Sequence, residues 1–289
     1  MDGIVSGQVK GGEGMIKKTT DYLEAIVMDL LRETNKICKM SLSLEVANEL
    51  NYKKEIKANV YAYDKERLIG YLNIFAPSKD AAEIQCVVHP KYRKMHVFTE
   101  LLTEARRELE AFKIYELLLV CDEHSSEGKA VLSRLGYRLN HSEYQMAYTP
   151  CESLESYPGV LEPVTEENVK RYVKGAKDVF GSRDFPYELI DNFLKSENRY
   201  LYLVKMGTKD IGIASYSLEG EKAVISGLGI LKKHRGMGYA KGMLSALIKE
   251  IRSACDAQVT LEVDSSNEEA FGLYTKYGFK IMNQINYYQ

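Results

Sequence analysis

Residues that lie 142 positions apart recur in one register: Arg93 with Arg235, Gly70 with Gly212, Asp122 with Asp264 and Gly136 with Gly278, without a gap. Around each copy a strand pair precedes a basic turn, a helix follows the turn, and an apolar strand comes next. Stacked repeats have periods of roughly 20–50 residues, so a period this long marks a duplicated domain and not a solenoid. The chain of 289 residues, 45% hydrophobic, gives each half enough apolar material for its own core.

In the second copy, the spacing predicts an N-capped helix within Val160 to Gly181, starting near Thr165, and another over Tyr187 to Leu194. Tyr200 to Lys205, Ile211 to Leu218 and Ala223 to Ile230 read as an antiparallel meander broken at Gly207 and at Glu219-Gly220. Met243, Leu244, Leu247, Ile248 and Ile251 share one helical face over Gly238 to Arg252. Val259 to Val263 is a buried strand, Glu268 to Tyr277 a helix and Lys280 to Tyr288 a last strand. The first copy repeats the scheme, with helices over Thr20 to Thr34, Leu44 to Asn51 and Phe98 to Phe112, and strands over Glu55 to Tyr63 and Leu68 to Phe75. The expected fold is α+β, two tandem domains over residues 15–149 and 161–289, each a mixed, mostly antiparallel sheet flanked by helices. Residues 150–160, with prolines, glycine and serines, form the expected linker, and the glycine-rich residues 1–14 a disordered leader.

A net charge of −2 gives no global attraction to nucleic acid or an anionic membrane, so any basic site is local. Five scattered cysteines without a C-x-x-C pair argue against a disulfide framework. No apolar run approaches the roughly 18 residues of a bilayer span, and no signal-peptide centre is present. Together these predict a soluble, cytoplasmic protein; a monomer or homodimer is expected. The five histidines have no metal-ligand spacing, so no metal is expected.

The turn Arg235-Gly236-Met237-Gly238-Tyr239-Ala240 follows the strand end Leu228-Gly229-Ile230 and opens a helix. Glycines let backbone approach a ligand, and free amides at a helix start favour phosphate oxygens. Lys232, Lys233, His234 and Arg235 add positive potential. The same residues also suit an ordinary strand-to-helix turn. A third possibility takes Gly236-x-Gly238-x-x-x-Gly242 as a dinucleotide fingerprint with Glu262 on the ribose, but that motif belongs on the first strand of a parallel sheet and not after a meander. A Walker loop is excluded, because no glycine precedes Lys-Ser or Lys-Thr in frame.

The R-x-x-G-x-A turn, taken with N-x-x-A-x-x-L-Y-x-x-x-G-F over residues 267–279, resembles the GNAT superfamily of acetyl-CoA-dependent N-acetyltransferases. The duplicated layout resembles tandem GNAT proteins. The segment from Thr260 to Tyr288 is similar to the N-terminal-amine acetyltransferases of ribosomal proteins. The resemblance implies that backbone groups of Leu228, Gly229 and Ile230 meet the acetyl and pantetheine part of acetyl-CoA, and that amides from Arg235 through Ala240 take its pyrophosphate. It further implies that Asn267 binds the cofactor arm, that Tyr274 protonates the departing thiolate, and that Glu262 is the base. Lys232 stands where many members have proline.

An amine attacks a thioester only when neutral, which gives a carboxylate such as Glu262 its use; Glu219 and Glu221 are weaker substitutes. Glu262 also fits a strand's solvent face, and Tyr274 fits a core aromatic against Phe271 or Phe279. In the first copy His96 replaces Gly238, Phe98 replaces Ala240, Ser125 replaces Asn267 and Leu132 replaces Tyr274, which predicts a degenerate domain without acetyl transfer. The expectation is therefore an acyltransferase working at the second domain on a small-molecule or peptide primary amine, with no nucleic-acid or membrane partner. The alternative is a non-catalytic acyl-CoA sensor or scaffold.

Overall fold

The structure is a computed structural model that describes residues 4–5 (backbone), 14–40, 42, 44, 46–150, 157–181, 190 and 193–289. The chain forms two compact units, Met1–Asn140 with Asn286–Gln289, and His141–Ile285.

The first unit holds β1 (Ile4–Val5), β2 (Gly14–Thr19), α1 (Glu24–Cys38), β3 (Asn59–Asp64), β4 (Arg67–Phe75), β5 (Ala81–Val88), α2 (Val97–Ala111), β6 (Glu116–Asp122) and α3 (Ser126–Arg134). Its strands lie in the order β1-β2-β3-β4-β5-β6, antiparallel as far as β5, with β6 parallel to β5. β4 is apolar along nearly its whole length because both of its faces are covered, by α1 and α2.

β7 (Leu139–Tyr148) belongs to the second unit from His141 onward. That unit continues through β8 (Val160–Pro163), α4 (Val169–Phe180), β9 (Arg199–Met206), β10 (Lys209–Glu219), β11 (Lys222–Ile230), α5 (Tyr239–Ala254), β12 (Gln258–Asp264), α6 (Glu268–Lys276) and β13 (Phe279–Tyr288), the last as far as Ile285. Its strand order is β13-β7-β12-β11-β10-β9-β8. On one face the expected stripe Met243, Leu244, Leu247, Ile248 and Ile251 of α5 is buried against Val259, Leu261 and Val263 of β12. On the other face Val169, Tyr172, Val173 and Ala176 of α4 pack on Leu201, Leu203 and Ile213. The fold is thus a duplicated α+β unit, each a mixed sheet with flanking helices.

The 142-residue register holds element by element: β4 starts at Arg67 and β10 at Lys209, α2 at Val97 and α5 at Tyr239, α3 at Ser126 and α6 at Glu268. The units nevertheless divide between Asn140 and His141, ahead of the expected linker, and the first unit includes the last four residues. Arg138 and Gln289 exchange two backbone hydrogen bonds of 2.9 Å, and Tyr288 packs on the first core.

Several element bounds differ from expectation. Val160–Pro163 is an edge strand on β9, with the proline's missing N–H on the side away from β9, since Val164 N–H donates to Leu201 O at 2.8 Å, and the helix starts only at Val169. Within Leu44 to Asn51 the described helix is the short 3-10 turn Asn48–Leu50, held because Asn48 and Asn51 hydrogen-bond to Asn59, Asn73 and the Ile74 carbonyl. The helix expected over Thr20 to Thr34 is α1. Ile4–Val5 pair with Ile16–Lys17, while the rest of the leader before Gly14, residues 151–156 of the linker and most of Tyr187 to Leu194 lie outside the described residues.

Candidate active site

β11 and β12 pair in parallel only from Lys222–Gln258 to Ile225–Leu261, and beyond that the ladder stops. Ser226 to Ile230 and Glu262 to Asp264 therefore border a gap in the sheet. Just there β11 carries one extra residue relative to β10, since Ser215 faces Ser226 while Ile213 faces Gly229. Gly227 makes this bulge with φ of 58°, a conformation open to glycine at little cost, and a Cβ there would lie 2.7 Å from Ser215 Oγ. In the first unit β5 and β6 also part after four pairs, but β4 and β5 run in unbroken register. The bulge separates the two copies.

Leu231 donates its N–H to Ile211 O of β10 at 2.9 Å. Backbone groups alternate along a strand, so the N–H and C=O of Ile230 point the other way, into the gap. The Ile230 carbonyl is taken by Arg235 Nε at 3.1 Å, and Arg235 Nη2 reaches Val179 O at 3.2 Å. The Arg235 side chain thus braces the turn, and its backbone N–H is donated to Lys232 O at 3.3 Å. Arg93 does the same in the first unit, with Nε 3.3 Å from Val88 O, which explains why this arginine recurs.

After the 3-10 turn Lys232–His234, Gly236 and Gly238 take φ of 75° and 79°, and Gly238 starts the 16-residue helix α5 without a side-chain cap. A Cβ on either glycine would meet nothing within 4 Å, so the backbone at these two positions borders open space. Met237 is exposed, while Tyr239 and Ala240 lean on the core. The first unit keeps the same backbone with Lys94 and His96 at φ of 64° and 63°, strain of about 1 kcal/mol or more per residue. Its turn keeps the shape and loses the bare backbone; His96 is exposed, and Phe98 packs against the first core.

Tyr274 of α6 is 9% exposed and lies against Phe279, ring centroids 5.8 Å apart. The ring is core, as the plainer expectation had it, yet its hydroxyl has no hydrogen-bond partner among the described residues. Burial pushes the phenol's pKa up, so it keeps its proton at neutral pH. Leu132, its counterpart, is buried in the first core. Asn267 caps α6, its Oδ1 accepting the Ala270 N–H at 3.1 Å, just as Ser125 Oγ accepts from Gly128 at 3.3 Å. The Asn267 carboxamide oxygen therefore serves the fold with one lone pair, and the NH2 of this exposed side chain remains for a ligand.

Glu262 follows Leu261, the last residue of β12 paired to β11, so it stands at the mouth of the gap. Leu261 and Val263 enter the core shared with Tyr274; alternation puts Glu262 on the opposite face. Base and acid candidates thus flank the sheet from two sides, with the gap between them. Although its tip is exposed, Glu262 is crowded by neighbours: loss of water raises its pKa first, the carboxylates of Glu143 and Glu219 raise it further, and Gln145 and Lys222 oppose the rise. Glu219 also accepts from Ser217 Oγ at 2.7 Å. The register places Val120 where the second unit has Glu262. Gln145 and Glu143 went unrecognised in the sequence because β7 reads as part of the first copy; its polar-apolar alternation is the one signal they leave. Among the described residues no group of three or more His, Cys, Asp or Glu could hold a metal ion, and no helix is long and apolar enough to cross a membrane.

The Acetyltransferase (GNAT) family matches residues 25–137 and again 164–279. A 98-residue stretch, 32% of this chain, is 33% identical to the uncharacterized N-acetyltransferase YycN of Bacillus subtilis (strain 168) and spans 63% of that protein, less than two thirds of its length. The fold is similar to that of a GCN5-related N-acetyltransferase from Sphaerobacter thermophilus, with a TM-score of 0.77 at 15% identity over 95% of this chain and 94% of that one. A tandem GNAT protein from the clavulanic acid biosynthesis pathway gives 0.67 at 12% over 93% and 95%. An acetyltransferase from the GNAT family from Colwellia psychrerythraea gives 0.63 at 14% over 94% and 98%. At these identities the likeness is one of fold.

Proposed function

The chain belongs to the GNAT acetyltransferase family, whose co-substrate is acetyl-CoA, and on that premise we propose that its second unit transfers an acetyl or other short acyl group to a primary amine. The observation that carries this reading is the bulged gap beside an open glycine turn, a pairing found in the second unit and not in the first. The turn fits the donor's diphosphate: its amides open a long helix, nothing stands over the two glycines, and bare backbone can come close to phosphate. Bound there, acetyl-CoA supplies a thioester activated for attack by an amine.

Glu262, Glu143 and Glu219 make an acidic wall that attracts an ammonium, and Glu262 then accepts its proton so that the nitrogen can react. The Ile230 N–H presents a fixed donor to the carbonyl oxygen on which negative charge develops, an arrangement worth roughly 3 kcal/mol. Tyr274 holds a proton for the leaving sulfur. The likeness of residues 260–288 to ribosomal-protein enzymes carries no acceptor into this proposal, and with Val120 and Leu132 at the two catalytic positions the first unit serves a non-catalytic role.

Because the folded pKa of Glu262 is raised, activity should climb with pH through a limb above the ordinary carboxylate range. A panel of amines (peptide N-termini, polyamines, aminated antibiotics, amine conjugates of small thiols) scored by release of free coenzyme A identifies the acceptor. Glu262→Gln is expected to lower kcat/KM about 100-fold and to remove the acid limb. Tight acetyl-CoA binding without coenzyme A release for any amine would favour a non-catalytic sensor instead.

A further inference from the structure

We propose that Gln145, on the strand that precedes the linker, is the positioning residue for Glu262, an assignment that rests on Glu262 being the base. In the antiparallel β7–β12 ladder Gln145 stands directly opposite Glu262, and the flanking pairs Met146–Leu261 and Tyr144–Val263 fix that register, with Met146, Leu261 and Val263 buried in the core. Gln145 Nε2 donates to Glu262 Oε1 at 2.8 Å. Asn283 Nδ2 of β13 donates to Gln145 Oε1 at 3.4 Å, which orients the carboxamide with its NH2 toward the carboxylate. The relay holds one oxygen of Glu262 and leaves Oε2 without a hydrogen-bond partner among the described residues, the oxygen that an ammonium meets.

The charged groups that face Glu262 are Glu143 from β7, Glu219 from β10 and Lys222 from β11. Loss of water and the two carboxylates disfavour its ionised form, while the Gln145 donor and Lys222 favour it. Gln145 therefore both aims the base and limits how far its titration climbs. Its counterpart in the repeat is Tyr287, so this donor is no part of the duplicated pattern.

The test is a titration of the Glu262 side-chain carboxyl by carbon NMR in the full-length chain, the signal being assigned by its loss in Glu262→Gln. Gln145→Leu is expected to move the midpoint to higher pH, since the charged form loses its donor. Gln145→Glu, nearly isosteric and compatible with the strand pairing should Gln145→Leu unfold, is expected to move it further, since a like charge replaces that donor. With the most active amine of the panel, the acid limb should shift in step, with about threefold or greater loss at its foot, recovery at higher pH and an unchanged KM for acetyl-CoA. An unmoved midpoint in a folded variant overturns the proposal whatever Glu262 does in catalysis. A shifted midpoint beside full activity of Glu262→Gln would instead retire Glu262 as the base and, with it, the role assigned to Gln145.

Discussion

A chain that begins at Val160 is expected not to fold, whereas one spanning His141 to Ile285 is expected to melt cooperatively. The first start point is where the repeat places the second domain, but it discards β7. Without β7, Thr260 to Asp264 of β12 lose their partners Ala147 to Glu143, and an apolar strand edge is left open. The core loses Met146 and Tyr148, 1% and 8% exposed, the latter tilted on Phe279 with centroids 5.4 Å apart. Two such side chains are worth about 2 kcal/mol each, before counting the cavity and five ladder pairs. Against the roughly 5–15 kcal/mol that holds a domain together, this decides the outcome. Circular dichroism melts of both fragments check it; equal cooperative transitions would show that β7 is dispensable.

Tyr274→Phe in the full chain is expected to cut kcat about 100-fold while the melting temperature and acetyl-CoA affinity stay unchanged. The ring provides the packing against Phe279, and phenylalanine keeps the ring. The hydroxyl has no partner among the described residues, so its removal leaves no buried group unsatisfied. What disappears is a proton that burial holds on the phenol, its pKa being raised. An unaltered kcat would make Tyr274 a core aromatic and nothing more; a large fall in stability would mean that its hydroxyl serves the fold.

The duplicated α+β architecture was legible because the recurring residues do local work. Arg93 Nε and Arg235 Nε each brace the strand end five residues back, and Ser125 and Asn267 each cap the helix they precede, contacts made within a few residues along the chain. The apolar face of α5 was legible for the same reason. The partners of the last strand of each copy were not. β7 and β13 both alternate polar and apolar residues, and such a pattern says which face is buried without saying which sheet receives it. Gln145 and Glu143 therefore stayed hidden beside Glu262. Likewise the bulge at Gly227 depends on the β10–β11 register, while sequence shows only one glycine among several.

Calorimetric titration of the full-length chain with acetyl-CoA tests the central claim, that the bare turn at 235–240 of the second unit is the one donor site. The expected stoichiometry is one per chain. Gly236→Lys, Gly238→His and Ala240→Phe together give this turn the side chains of the first unit, a backbone that Lys94 and His96 show to be tolerated, and should abolish binding. Lys94→Gly with His96→Gly should leave the stoichiometry at one. Two molecules bound per wild-type chain, or undiminished binding by the triple variant, would contradict the account.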